Sequence, residues 1–287
     1  MQRVLAVIGG SGVYDIPELG NVREHTVDTP FGSPSDAIIE GTLGDVRCLF
    51  LPRHGRGHHE PPHQINYRAN ICALKKLGAE QVVSVSAVGS MRDDIHPGDV
   101  VVVDQYIDLT KRRESTFFED GVVAHVSFAD PVCPELAAAA GRAVRQAGGR
   151  VHAGGTYVCI EGPQFSTRAE SHLYRSWGVS VIGMTAMPEA KLAREAELPY
   201  ATLAFATDYD CWHDTHEAVS VEAVVRVLQQ NSALAKRALV ALVGELPDPK
   251  QSPAARALST AILTPPDRVA TSSRARLDWL LDPYLEH

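Results

Sequence analysis

The chain has 287 residues, 45% of them hydrophobic and 22% charged, and 27 Lys and Arg against 35 Asp and Glu give a formal net charge of −8. Such a composition belongs to an ordinary globular chain, one large α/β domain or two small ones, and argues against long disorder. Its acidity is the opposite of the basic footprint of a general nucleic-acid binder, so an anionic substrate has to find a local cationic pocket.

The first apolar run, in "MQRVLAVIGG", reaches glycine after five residues, too short for a secretory core or a bilayer span. A cytoplasmic location with no membrane partner is expected. The run reads as a strand, and "GGSG" from Gly9 to Gly12 follows it. Backbone N–H groups in such a turn either cradle a phosphate or close a tight bend. As a dinucleotide fingerprint the turn fails, because position 15 holds Asp15 in place of glycine.

A second strand, "VRCLFLP", ends at Arg53-His54, a guanidinium and an imidazole at a strand's carboxyl end, where open α/β sheets bind ligands. Next, His59-Glu60-Pro61-Pro62-His63 spells H-E-x-x-H. Zinc binding through that motif needs both histidines on one face of a continuous helix, which two adjacent prolines deny, so no metal is expected. In "QINYRANICALKKLG" the residues Ile65, Ala69, Cys72, Ala73 and Leu77 follow helical spacing, with Gly78 placed as a left-handed cap.

Further strand-like runs are "QVVSVSAVGS", "DVVVVDQYIDL", "GTYVCIEG", "VSVIGMT" and "YATLAFATD". Several are too continuously apolar to have a wet face, as in strands covered on both sides. Between them, "PELAAAAGRAVRQAGG", "STRAESHLYRSWG", "PEAKLAREAEL" and "SVEAVVRVLQQNSALAKRALVALVGEL" have helical patterns, with an N-cap at Ser166 or Thr167. This alternation indicates one α/β domain over residues 1–246. From 247 to 287 the chain is proline-rich and is expected to run over the surface as an extension. Cys48, Cys72, Cys133, Cys159 and Cys211 have no C-x-x-C spacing and read as reduced, mostly buried thiols.

"LAFATDYDCW", residues 203–212, breaks from an apolar strand into Asp208 and Asp210. A carboxylate at the end of a buried strand loses several kcal/mol without partners, so the pair either turns the chain or waits for a ligand.

Taken together, "VIGGSGVYD", "TPFGSPSD", "FLPRHGRGH", "INYRAN", "VSAVGS", "IEGPQFSTRAES", "GMTAMPEAKLAREAELPYA" and "ATDYDCW" closely resemble the trimeric purine nucleoside phosphorylase family, in its 5′-methylthioadenosine phosphorylase branch. The likeness runs from Val4 to about Val243. It implies a mixed, partly barrel-like central sheet flanked by helices, and phosphorolysis of 5′-methylthioadenosine, or a related 5′-substituted adenosine, to adenine and the ribose 1-phosphate. Inorganic phosphate is then the co-substrate, with no cofactor. The resemblance implies that Ser11, Arg53, His54, Ala87 and Thr185 bind phosphate and that Met184 lies against the ribose. Phe165, Ala87 and Gly89 would line the purine slot, and Ser166 would reach the base edge. His58, Val221 and Val224 would enclose the 5′ substituent together with His125 from a neighbouring subunit of a homotrimer or homohexamer. Three departures are visible: serine at 11 where many relatives have threonine, Gly183 where several have asparagine, and "KQSPAARAL" where some have a cysteine-rich tail.

Within that resemblance the two aspartates acquire roles. A buried carboxyl with a raised pKa can hold a proton near neutrality and give it to purine N7, which makes Asp208 the expected general acid. Asp210, ionised, would accept from the 6-amino group. Two carboxyl groups favour adenine over 6-oxopurines. Rival readings are a water-using nucleosidase, a phosphorylase of broader specificity and a non-catalytic nucleoside-binding protein.

Overall fold

The computed structural model describes residues 2–10, 12–13, 15–213 and 221–285. Its strands are β1 (Val4–Gly9), β2 (Gly20–His25), β3 (Ile38–Leu43), β4 (Val46–Pro52), β5 (Gln81–Ser90), β6 (Val100–Val102), β7 (Gln105–Asp108), β8 (Val151–Ala153), β9 (Thr156–Cys159), β10 (Val181–Gly183) and β11 (Tyr200–Asp208). The helices are α1 (Tyr67–Lys76), α2 (Pro134–Gln146), α3 (Arg168–Ser176), α4 (Ala186–Glu195), α5 (Val221–Val243) and α6 (Thr271–Leu285).

All strands join one mixed sheet in the order β2-β3-β4-β1-β5-β10-β9-β7, with β11 branching from β5 to β6 and β8. β1 shows why it is covered on both sides. Val4, Ala6 and Ile8 point into one core with α1 and α4, while Leu5 and Val7 point into another with α2 and α5. The run "DVVVVDQYIDL", expected as one strand, divides: β6 pairs with β11 and β8, and β7 pairs with β9. α1 begins at Asn66, whose side chain accepts from the Ala69 N–H, and ends before Gly78 at φ +87°. Of the two candidate caps of α3, Thr167 takes the role, forming a reciprocal capping box with Glu170.

The segment after Leu246 departs from the expected surface extension. Leu258, Ala261, Leu277, Leu280 and Leu281 are buried in the same core as β1 and α1. Trp279 stands edge-on to Phe117 at 5.1 Å, and the Tyr284 hydroxyl donates to Glu197 at 2.6 Å. Proline marks the turns of this segment, but its leucines supply core, so α6 belongs to the body of the fold.

β5 creates the opening for a site. It pairs with β1 only up to Ser84, then meets β10 at Gly89 and Ser90, while β11 follows its other edge throughout. Residues 85–88 therefore have a strand on one side only, and the gap lies at the carboxyl ends of β1, β4 and β11. No described helix is long and apolar enough to cross a membrane.

Candidate active site

A cavity of about 430 Å³ occupies that gap, within the size range of small-molecule sites. It is lined from after β4 by Arg53, His54 and His58, from β5 by Ser86, Ala87 and Gly89, and from after β10 by Met184 and Thr185. Phe165 and Ser166 come from the loop before α3, Asp208 and Asp210 from the end of β11, and Asn231 and Ser232 from α5.

The Arg53 end is a cation whose charge is met within the fold. The Arg53 guanidinium is 2% exposed and paired with Glu189 of α4 through Nε–Oε2 at 2.7 Å and Nη2–Oε1 at 3.0 Å. Nη2 also donates to Ser84 Oγ at 2.7 Å, and Nη1 to the Val85 carbonyl at 3.2 Å. Its charge is thus balanced within the fold, and one Nη1 hydrogen is left for the cavity. His54, by contrast, carries no charge. Burial pushes its pKa down to about 4 against a hydrogen bond to the Glu60 carbonyl. Because a carbonyl only accepts, the Nδ1 atom 2.8 Å from it bears the proton, which leaves Nε2 as an acceptor. The remaining groups are hydroxyls: Ser86 Oγ lies 3.1 Å from Thr185 Oγ1 and 3.3 Å from Tyr157 Oη.

At the opposite end, Asp208 Oδ1 accepts the Asp210 N–H at 2.8 Å and Oδ2 accepts from Thr207 Oγ1 at 2.6 Å. Burial outweighs these bonds, and with the Asp210 charge it raises the Asp208 pKa above the usual carboxylate value. Asp210 sits in the left-handed region at φ +51°, tolerated by aspartate, and accepts from Ser171 Oγ at 2.5 Å. Burial raises its pKa too. Gly89 leaves no space between them: a Cβ there would stand 3.0 Å from Asp208 Oδ1 and 3.0 Å from Ile182 Cγ2. The pair does turn the chain, and its carboxyl groups also face a cavity.

Ser166 Oγ is buried without a hydrogen-bond partner, an unmet polar group of the kind a ligand satisfies. Phe165, 64% exposed, stands beside it at the mouth. His58 stacks on His54 at 4.2 Å. His125 is exposed and is not among the residues lining this cavity. Ser11 lies outside the described residues, as do the side chains of Val221 and Val224 at the start of α5. Residues 59–63 run through turn and bend rather than helix, and the described residues hold no group of three His, Cys, Asp or Glu suited to a metal. The five cysteines are free, four of them buried.

Sequence reasoning missed Glu189, Ser171, Thr207 and Asn231. Glu189 read as one acidic residue of an amphipathic helix, and its partner lies 136 residues away. Asn231, whose side chain donates to the Ala206 carbonyl at 3.1 Å, carried a faint signal as an amide within the apolar pattern of α5.

Comparison with known proteins agrees with this geometry. The family model of the Phosphorylase superfamily matches residues 4–244. S-methyl-5′-thioadenosine phosphorylase of Geobacter sulfurreducens is 54% identical over 286 residues, 99% of this chain and 100% of that protein. Methylthioadenosine phosphorylase from an antarctic soil metagenomic library has a similar crystal structure, with a TM-score of 0.93 at 50% identity over 98% of this chain and 100% of that one. A mutant adenosine/methylthioadenosine phosphorylase of Schistosoma mansoni, solved with methylthioadenosine, follows at TM-score 0.80 and 38% identity over 84% and 91% of the two chains. With its whole described sheet inside the matched region and a cavity at the carboxyl ends of its strands, the chain belongs to the phosphorylase superfamily.

Proposed function

We propose that the cavity carries out phosphorolysis of 5′-methylthioadenosine to adenine and 5-methylthioribose 1-phosphate. The observation that carries this reading is the division of one cavity into two ends, a carboxyl with a raised pKa at one and a cluster of hydroxyl and guanidinium donors at the other. A leaving purine needs a proton and the anomeric carbon needs a nucleophile, and the two have to approach the sugar from opposite sides.

In this mechanism hydrogen phosphate lies among Arg53 Nη1, Thr185, Ser86, the Ala87 backbone and Ser11. Its O–H donates to the acceptor nitrogen of His54. A phosphate oxygen forms the bond to C1′ as the C1′–N9 bond breaks, with the electron pair passing into the purine. Asp208 gives its proton to N7, so adenine leaves neutral. The proton that phosphate gives up on becoming an ester passes to solvent, and after neutral adenine leaves Asp208 takes a proton back from solvent, so the protons balance over the cycle. Negative charge from phosphate offsets the developing ribosyl cation. Asp210, held by Ser171, accepts from the 6-amino group, Ser166 meets the base edge, Phe165 and Gly89 flank the ring, and Met184 lies against the ribose. Phosphate is the co-substrate, and no cofactor takes part.

His58 lines the cavity where the family likeness assigns the 5′ substituent together with Val221 and Val224, and a methylthio group suits such valines better than a hydroxyl, which is penalised when buried without a partner. His125, exposed on this chain, completes that pocket in a neighbouring copy, and the family likeness supports a homotrimer or homohexamer, located in the cytoplasm, as the working form.

The test is adenine release from methylthioadenosine with and without phosphate, with the sugar product identified. Phosphate-dependent release with stoichiometric pentose 1-phosphate is the expected result. Release at full rate in phosphate-free buffer would make the protein a nucleosidase, and faster turnover of inosine would move it to the 6-oxopurine enzymes.

A further inference from the structure

β11 ends irregularly. Ala206 opposes Val88 on β5 and Asp208 opposes Gly89, so Thr207 is one extra residue in the ladder. In a regular strand consecutive side chains point to opposite faces, whereas a bulge re-aims one of them. Here it brings Thr207 Oγ1 to 2.6 Å from Asp208 Oδ2 and 3.2 Å from the Val88 carbonyl oxygen, in a residue only 6% exposed.

A hydroxyl has one proton, and the Val88 carbonyl can only accept. Thr207 therefore cannot donate to both neighbours. While Asp208 is protonated, the Thr207 hydroxyl is free to donate to Val88. Once Asp208 has lost its proton, the same hydroxyl is within reach of an anionic oxygen. We propose that Thr207 is a positioning residue for the general acid, a hydroxyl rotor that turns from the Val88 carbonyl to Asp208 Oδ2 as the carboxyl gives its proton to the leaving purine. Thr207 keeps its own proton throughout, so the balance of the reaction is unchanged. Asp208 Oδ1 is held by the Asp210 N–H, and the rotor serves the other oxygen.

The charged surroundings are few. Asp210 is the carboxyl facing Asp208 from the following turn, and α3 contributes the neutral Ser171 to it. β5 presents Gly89, and β10 presents Ile182. Arg53, His54 and His58 line the same cavity from after β4, with Arg53 neutralised by Glu189. Thr207 is therefore the neutral side chain bonded directly to the acid.

This inference rests on the reading of Asp208 as the acid, and the experiment separates the two. Thr207→Val, Thr207→Ala and Thr207→Ser are compared with the unaltered enzyme, with Asp208→Asn and with the Thr207→Val/Asp208→Asn double variant. Thermal denaturation identifies the folded variants, and the alanine variant serves if valine does not fold. A hydrogen bond to a charged group is worth roughly a 10- to 100-fold change. Removing the hydroxyl is expected to lower kcat by that factor while leaving KM for phosphate within about twofold. Because the bond favours the ionised carboxyl, its loss raises the Asp208 pKa, and the alkaline limb of the kcat/KM profile moves to higher pH. Serine restores both. In the Asp208→Asn background the valine substitution adds less than about twofold, as expected for groups acting as one unit. Unchanged kcat, an unmoved pH limb, or the same loss in both backgrounds would overturn the rotor. Near-normal turnover by Asp208→Asn alone would overturn the assignment of the acid instead.

Discussion

Glu189→Gln separates the two services that the buried ion pair performs. The Glu189 carboxylate accepts two N–H groups of Arg53, the Ser84 hydroxyl at 2.8 Å and the Tyr200 hydroxyl at 2.9 Å. Glutamine keeps the shape and removes the charge, leaving the Arg53 guanidinium buried and uncompensated. Breaking such a pair from one side costs about 3–5 kcal/mol. At about 2–4 °C per kcal/mol the melting temperature falls by roughly 6–20 °C. Phosphate affinity moves the other way. Across a guanidinium with a hydrogen bond on each side, the carboxylate and a bound phosphate stand about 8 Å apart, and at an effective dielectric of about 20 they repel by about 2 kcal/mol per unit charge. Losing that repulsion lowers KM for phosphate by roughly 30-fold for each unit of phosphate charge. Differential scanning calorimetry and initial rates over a phosphate titration, both well below the melting temperature, read the two effects. A destabilised variant whose KM for phosphate is unchanged or higher would refute the electrostatic argument and leave Glu189 a structural residue only.

Gly89→Ala puts a methyl group 3.0 Å from Asp208 Oδ1 and from Ile182 Cγ2, so the carboxyl has to move. Overpacking of about 1–3 kcal/mol is expected to appear as a roughly 10- to 100-fold loss of kcat/KM for the nucleoside at unchanged KM for phosphate, and equal effects on both substrates would refute it. Glu195, buried at the end of α4, has its pKa raised to about 7 by burial, against hydrogen bonds from the Phe117 N–H and the Thr116 hydroxyl. In the unfolded chain it titrates near about 4.3, so between those values the folded state binds more protons and stability falls as pH rises. Glutamine imitates the protonated carboxyl, and Glu195→Gln should be more stable by about 3 kcal/mol at pH 8 yet no different at pH 4. A pH-independent difference in melting temperature would contradict the shift.

How much was legible in the chain depended on where each signal was stored. β1, β4, β9, β10 and β11 are largely apolar runs and β5 is apolar over much of its length, and burial of most of these residues on both faces is what made them readable. β2 is the polar, exposed edge "GNVREH" and β8 is three residues long, so neither has a pattern to detect. β3 hides behind Glu40, a buried carboxylate that Arg23, His25 and Arg47 surround. Ahead of α6 the prolines of residues 247–266 drew attention from the leucines that follow. The acidic turn and Arg53-His54 stood at strand ends and could be named from local sequence. Arg53's partner could not, since the pairing is made across the fold, and neither could the bulge at Thr207, which exists only in the register between two strands.

A substrate that needs no acid tests the role of Asp208 most directly. Methylation at N7 gives methylthioadenosine a cationic purine that leaves neutral without a proton. Measured on both substrates, Asp208→Asn should lower kcat/KM for methylthioadenosine by roughly 10²- to 10⁴-fold while leaving the N7-methylated compound within a few-fold of the unaltered enzyme. An equal loss on the two substrates would mean that Asp208 does not deliver the proton.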